Sequence, residues 1–298
     1  TAGDPVKQEI LQFIPGYGLM NDCRYEKGFV LSGNGSNGKS KYLEILRLLF
    51  TSISGDTVTH MPPRAFLDKF QRIQLRDAIF NIAGEIRSDL RDVEEYMKSI
   101  ISGEPQTACY KSKDYITFIP RTKLVFATNS QLSSEDTSDG LTRRLVLLHF
   151  PVTFCDTPDP KDPYQRKKDI NIIQALTEEL NSGGIFNWVY AGYKLLNAVG
   201  YFTESNDQAE LLQEFKRSSN PVLVFWEDSS HKFNENEFTN TDVYNYYRQW
   251  CCDNGERVWS SSAFHREFKK LVQPEFEQFR TKQGRGYRRV TDTAVYLS

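Results

Sequence analysis

The run Gly33-Asn34-Gly35-Ser36-Asn37-Gly38-Lys39-Ser40 decides the fold. Ahead of it, Phe29-Val30-Leu31 has the short apolar pattern of a buried strand. Behind it, Tyr42-Leu43-Glu44-Ile45-Leu46-Arg47-Leu48-Leu49-Phe50 places apolar residues at helical spacing. Strand, glycine-rich loop and helix in that order give G-x-x-x-x-G-K-[ST] the context of a phosphate-binding site. Glycines let the backbone curl until successive N–H groups point inward at phosphate oxygens. The helix beginning near Lys39 adds the positive end of its dipole. On this reading Gly33 to Ser40 cradle a nucleoside triphosphate, Lys39 reaches its terminal phosphates, and the Ser40 hydroxyl holds a magnesium ion.

Outward from the loop, Ala78-Ile79-Phe80-Asn81-Ile82-Ala83-Gly84-Glu85 reads as an apolar strand ending in an acid. A carboxylate there can bind the metal or polarise an attacking water. Glu85 takes that role, with Asp89 as a second candidate. Lys123-Leu124-Val125-Phe126-Ala127-Thr128 is another buried strand, and Asn129 at its end can sense a terminal phosphate or orient water. Between these strands, residues 92–102 read as a helix and Thr107 to Pro120 as a β-hairpin. The hairpin tip carries Lys111 and Lys113 beside Tyr110 and Tyr115, cations for phosphates and rings for bases. A solvated charged turn is the plainer alternative. After a polar loop from Ser130 to Gly140, Arg143 and Arg144 precede the apolar strand Leu145 to Phe150; either guanidinium could serve a neighbouring subunit's phosphates or a surface ion pair.

The flanks are less specific. Residues 5–20 read as a leader helix and 64–76 as an amphipathic helix with Arg64, Lys69, Arg72 and Arg76 on one side. Proline-rich residues 158–163 lead into helices over 170–180, 188–199 and 208–216 that form a helical lid. From about Asn220 the chain becomes aromatic, with helices over 241–251 and after Ser260, then a basic hairpin; this pattern suggests a winged helix. Five basic residues lie between Arg280 and Arg289, among them Arg285 and Arg288, which are candidates for DNA phosphates. The expected domains are 1–26 (leader helix and connection), 27–157 (ATPase core), 158–219 (lid) and 220–298 (winged-helix-like tail).

Composition narrows the class. The chain has 298 residues, 39% hydrophobic and 26% charged, as in a globular protein with room for one large or two modest domains. No apolar run approaches the ~18 residues of a membrane span. A net charge of −2 means any nucleic-acid surface must be local. The five cysteines are scattered without C-x-x-C spacing, and His60, His149, His231 and His265 lie far apart, so no zinc site or disulfide framework is expected.

As an ordered set, GNGSNGKS, IFNIAGE, ISGEPQTACYKSKDYITFIP, KLVFATN and GLTRRLVLLHFP resemble the superfamily 3 helicases, in particular their poxvirus and phage/plasmid primase–helicase branch. The resemblance covers essentially the whole chain. It implies an α/β fold, an AAA+-like P-loop ATPase core with a parallel sheet, a small helical lid and a winged-helix-like C-terminal domain. It also implies ATP and Mg2+ as cofactors and a homo-oligomeric ring, most often a hexamer, with nucleotide between neighbours. In that family the hairpin lysines grip DNA, which falls here on Lys111 and Lys113. The phosphate-sensing asparagine falls on Asn129. The arginine finger, by its spacing to Phe150, falls on Arg143 rather than Arg144. The lone Glu85 matches this branch better than the paired acids of others.

Such modules sit behind an N-terminal primase or primase–polymerase domain, and the opening Thr1 fits a piece of such a chain from a phage; host-cell cytoplasm and no membrane partner are expected. The activity implied is an ATP-driven DNA helicase. The alternative is a nucleotide-switched DNA-binding or loading ATPase without processive unwinding. A small-molecule kinase shares only the phosphate loop and leaves the hairpin lysines and basic tail without purpose.

Overall fold

The computed structural model describes residues 1–54, 57–86, 90, 92–130, 133, 139–233, 237–281 and 284–290. The chain forms two compact units, Thr1–Phe215 and Lys216–Ser298. Among the described residues no helix is long and apolar enough to cross a membrane.

The first unit is mixed α/β around a five-stranded, all-parallel sheet. Its strands are β1 (Gly28–Ser32), β2 (Val58–Thr59), β3 (Phe80–Ala83), β6 (Lys123–Thr128) and β7 (Leu145–His149), in the order β2-β3-β6-β1-β7. β6 is buried at every residue and β1 at all but its last, which explains why they read as near-continuous apolar runs. Alternation sends Phe29, Leu31, Val125, Ala127, Val146 and Leu148 to one face and Val30, Leu124, Phe126, Leu145 and Leu147 to the other. The first face packs on α1 (Pro5–Gly18), α2 (Lys39–Ser54) and α7 (Gly184–Val199). The second packs on α4 (Glu94–Ile101) and on Phe66 and Phe215.

The leader helix is part of this core. Asp4 caps α1 by accepting from the Val6 and Lys7 amides at 2.9 and 3.2 Å, and Pro5 stands at the first helical position. Backbones of α1 and α7 meet at paired glycines: a Cβ on Gly16 would lie 2.5 Å from the Tyr193 nitrogen, and one on Gly192 2.4 Å from the Gln12 carbonyl oxygen. The remaining helices of this unit are α3 (Lys69–Arg72), α5 (Asp139–Thr142), α6 (Ile172–Asn181) and α8 (Gln208–Ser219), the last ending in the second unit. Of the segment expected as the lid, 158–219, residues 158–215 lie in the same compact unit as the sheet.

One expectation is corrected here. Residues 64–76 are not one amphipathic helix but two 3-10 turns, Pro63–Leu67 and Ile73–Arg76, flanking the single turn of α3. Asp68 breaks the run by capping α3, accepting from the Phe70 amide at 2.8 Å. Arg72 turns inward, donating to the carbonyls of Phe66 and, at 2.9 Å, Thr107.

Lys123, at the start of β6, is buried and donates to the Met20 and Arg121 carbonyls, both at 2.7 Å, with its ammonium 4.7 Å from the Tyr17 ring centre. Desolvation drives its pKa from 10.5 to about 8, opposed by the nearby Cys23 and Asp22. Between those two values the unfolded chain binds the extra proton, so stability rises with pH across that window. Denaturant midpoints measured at steps from about pH 8 to about pH 10 should climb, and Lys123→Met should flatten the slope, since the lysine is the group that titrates there.

The second unit consists of α9 (Pro221–Ser229), β10 (Glu237–Thr239), α10 (Asn240–Asn254), α11 (Ser261–Val272), β11 (Phe276–Thr281) and β12 (Gly284–Arg289). Its antiparallel sheet has the order β10-β12-β11. The core is largely aromatic: Phe225, Phe238, Tyr247, Phe264, Phe268, Phe276 and Tyr287 are buried together, with the Tyr247 and Phe264 rings 4.5 Å apart. Each such ring contributes on the order of 2 kcal/mol through burial, which lets a unit this small hold together.

Candidate functional site

All sheet strands run in parallel, so their C-terminal ends share one edge, and β1 lies between β6 and β7, where the chain departs to both sides. Crevices at such an edge are where open α/β sheets bind ligands. The glycine-rich loop leaves β1 there. Gly33, Gly35 and Gly38 take φ of +151°, +96° and +88°, values a side chain resists, and Ser36 joins them at +47°. At Gly33 space is also decisive, because a Cβ would meet the Asn37 side-chain nitrogen at 2.1 Å. The loop ends where α2 begins, at Lys39.

The Lys39 side chain folds back into this curl and is buried. Its Nζ donates to the Gly33 carbonyl at 2.8 Å, Asn37 Oδ1 at 3.0 Å and Asn129 Oδ1 at 2.9 Å. All three acceptors are neutral. A buried cation satisfied only by dipoles keeps its full charge for an incoming anion. Desolvation lowers its pKa, and the Glu85 carboxylate partly offsets this through space. Asn37 is buried too and is held between Lys39 and the Phe150 carbonyl.

Asn129 and Glu85 stand at the same edge. β6 is interposed between β1 and β3, so Asn129, the residue after it, falls between the loop and the acid that follows β3. Glu85 is exposed, two strand spacings (about 10 Å) from β1, and holds φ of +52°, which a non-glycine residue rarely adopts. The next amide, Ile86 N–H, is fixed to the Ala127 carbonyl at 2.9 Å. Backbone strain of this kind concentrates where a side chain must be aimed. Ser40 is exposed in the first turn of α2. Asp89, the second acidic candidate, lies outside the described residues.

A buttress of the loop escaped the sequence reading. The segment after β7 forms a two-stranded parallel pair, β8 (Thr153–Cys155) with β9 (Gln165–Lys167). The Phe154 amide donates to the Ser36 carbonyl at 2.7 Å, and its ring lies 3.5 Å from where a Gly38 Cβ would sit. Nothing in the sequence marks Phe154 beyond its place after an apolar strand.

Arg143 is not brought to its own chain's loop. It precedes β7, whose first residue pairs with Gly28, whereas the loop follows Ser32 at the other end of β1. Four residues of strand, about 13 Å, separate the two edges. Arg143 is exposed, and its carbonyl accepts from Lys27 Nζ at 2.6 Å. Arg144 is committed to the fold: it donates to Ser102 Oγ at 2.8 Å and the Gly140 carbonyl at 2.7 Å and pairs with Glu26 at 3.4 Å.

The hairpin consists of β4 (Gln106–Ala108) and β5 (Ile116–Phe118), with Lys111 and Lys113 exposed at its tip. Ser112 between them has φ of +59°, and the Lys113 amide closes the turn on the Tyr110 carbonyl at 3.1 Å. The broken 64–76 segment packs beside it. Lys69 bonds the Tyr115 hydroxyl and lies 4.7 Å from its ring centre, and Arg76 lies 5.9 Å from that of Tyr110. Four cations and two exposed tyrosines thus share one surface. Their basic character was legible in sequence, but not that a second segment joins the hairpin.

In the second unit, Arg285 and Arg288 fall on opposite faces of β12. Arg288 pairs with Glu237 at 2.7 Å and lies against the Phe279 ring, whereas Arg285 stands opposite Arg280. Lys282 lies outside the described residues. Among the described residues no group of three or more His, Cys, Asp or Glu side chains converges as for a metal.

Comparisons with known proteins fit this anatomy. Residues 31–144 match a protein family of unknown function, DUF5906, and residues 217–297 match the Poxvirus D5 protein-like family. The fold is similar to that of the NrS-1 C-terminal region in its apo form. Two such structures cover 95% of this chain at 11% identity, one with a TM-score of 0.52 over 74% of its own length, the other 0.51 over 70%. The chain therefore shares its α/β architecture with the NrS-1 C-terminal region and its tail with the poxvirus D5-like proteins.

Proposed function

We propose that this chain is the ATP-dependent DNA helicase module of a phage or plasmid replication protein, with an AAA+-like P-loop core and a winged-helix-like tail. The observation that carries the proposal is the buried Lys39 ammonium, held by three neutral oxygens in a glycine-rich curl at the C-terminal edge of a parallel sheet. The donor set fits a magnesium–triphosphate. Inward amides and Lys39 take the phosphates, the exposed Ser40 hydroxyl and Glu85 hold the metal, and Asn129, already bonded to Lys39, meets the terminal phosphate. Bound ATP supplies the leaving group and Mg2+ the neutralising charge, while Glu85 polarises water.

Arg143 completes the site of the next copy in a ring, most often a hexamer. Lys111 and Lys113 convert closure of that site into movement of DNA through the centre. Helix–strand–helix–helix–hairpin, with the first strand beside the last, is the order of a winged helix and supports that reading of the tail.

Turnover and strand displacement by a Lys111→Ala/Lys113→Ala variant test the coupling. Hydrolysis without DNA should persist, whereas DNA-stimulated hydrolysis and unwinding should fall to background. Unwinding at the parent rate removes the hairpin from the mechanism. A parent chain that hydrolyses ATP and binds DNA yet displaces no strand at saturating ATP is a nucleotide-switched binding module instead.

A further inference from the structure

The edge of the sheet opposite the glycine-rich loop holds a second polar cavity. β3 and β6 begin there, at Phe80 and Lys123, and Arg76 and Asp77 lead into the first of them. A cavity of about 360 Å³ is lined at this edge by Asn21, Arg76, Asp77, Arg121 and Lys123, among others. It shares the first four of these with a wider crevice of about 960 Å³ that reaches Phe118 of β5. From Lys123 to Asn129 the chain climbs about 20 Å along β6, so a ligand held here does not touch the loop.

The charges in this lining do not balance. Asp77 is engaged by Arg76, accepting at 2.8 and 2.6 Å, and Asp22 of the wider crevice accepts from Arg24 at 2.9 Å. Arg121, which is exposed, donates to the neutral Asn21 side chain, and Lys123 donates to two carbonyls. Among the described residues neither Arg121 nor Lys123 is in an ion pair. They are close enough for the guanidinium to help depress the lysine pKa, so two like charges are held at one cavity. A bound anion would relieve both the repulsion and the desolvation of the buried ammonium.

We propose that this cavity binds the phosphate group of a small molecule, with Arg121 and Arg76 offering guanidinium forks and Lys123 the buried positive charge. A tetrahedral dianion presents oxygens to donors arriving from several sides, whereas one fork already fills a planar carboxylate. Lys123 is only 2% exposed, so a group must enter the cavity to reach it, which suits a small ligand better than a polymer backbone. The inference depends neither on the nucleotide site nor on DNA.

The test is equilibrium dialysis of radiolabelled inorganic phosphate against the full 298-residue chain, with Lys39→Ala used throughout to silence the glycine-rich loop. That chain should bind one phosphate, saturably, by ~10 mM. Adding Arg121→Ala should weaken binding on the order of 10-fold or more, the scale of one hydrogen bond to a charged group. Arg121→Lys should keep part of the affinity, because the charge stays while the fork is lost. Lys123→Met should also weaken binding; should that buried change unfold the chain, the exposed Arg121 carries the test alone. Arg285→Ala, in the other unit, should leave binding unchanged. No saturable binding by the Lys39→Ala chain, or binding that Arg121→Ala leaves intact, overturns the site. So does a 5′-phosphorylated oligonucleotide that binds through Arg121 where free phosphate does not.

Discussion

Lys39→Ala should end nucleotide turnover. The ammonium is buried, and each of its partners among the described residues is an uncharged oxygen of the loop or of Asn129, so its charge is left for a phosphate to meet. Deleting one preorganised donor of this kind costs on the order of 10²- to 10³-fold in rate. Removing it also strips the loop of the cross-link between Gly33, Asn37 and Asn129. Binding of a fluorescent ATP analogue should therefore weaken together with hydrolysis measured by phosphate release. Melting of the chain without nucleotide should change little, because desolvation already disfavours the ammonium in the fold, as its lowered pKa indicates. Hydrolysis at the parent rate would move the nucleotide site away from this edge.

Arg143→Ala should be as severe for turnover yet rescuable. An arginine supplied across an interface contributes on the order of 10³- to 10⁵-fold. The residue stands at the opposite end of β1 from its own loop, so it can serve only a neighbour's. A subunit carrying Arg143→Ala keeps an intact loop, and one carrying Lys39→Ala keeps an intact arginine. Mixing the two inactive proteins should then recover part of the turnover, in proportion to the interfaces that combine one good half from each. Mixtures as dead as their components would sever Arg143 from the site. Arg144→Ala should act differently, lowering stability through the lost Glu26 and Ser102 contacts.

The central sheet was legible because its strands are buried on both faces and so appear as unbroken apolar runs around Val30, Ile82 and Val125. The loop was legible because its conformation demands glycine at set positions. Strand order was not, since Lys123–Thr128 slips between two strands that precede it in the chain, and only the register reveals Asn129 against Lys39. The 64–76 segment misled because Arg72 points inward to backbone carbonyls, which periodicity counts as a surface charge. Phe154 and the Arg280–Arg285 pair depend on contacts between segments and carry no local signature. Counting basic residues in the tail could not separate Arg285 from Arg288, because the two faces of a strand differ only once its pairing is known.

The distance between Arg143 and the glycine-rich curl also constrains how copies of this chain can join. If Arg143 serves a neighbour's loop as proposed, the two can meet reciprocally across a two-fold axis, which closes at two copies, or head to tail, which gives each copy of a larger assembly one donor side and one acceptor side. Such polarity closes into a ring only when the turn per copy divides a full circle, and otherwise winds into an open spiral whose two end copies each lack one neighbour. In a spiral the copy at one end has no guanidinium delivered to it, so hydrolysis would have a direction along the assembly before any polynucleotide is bound.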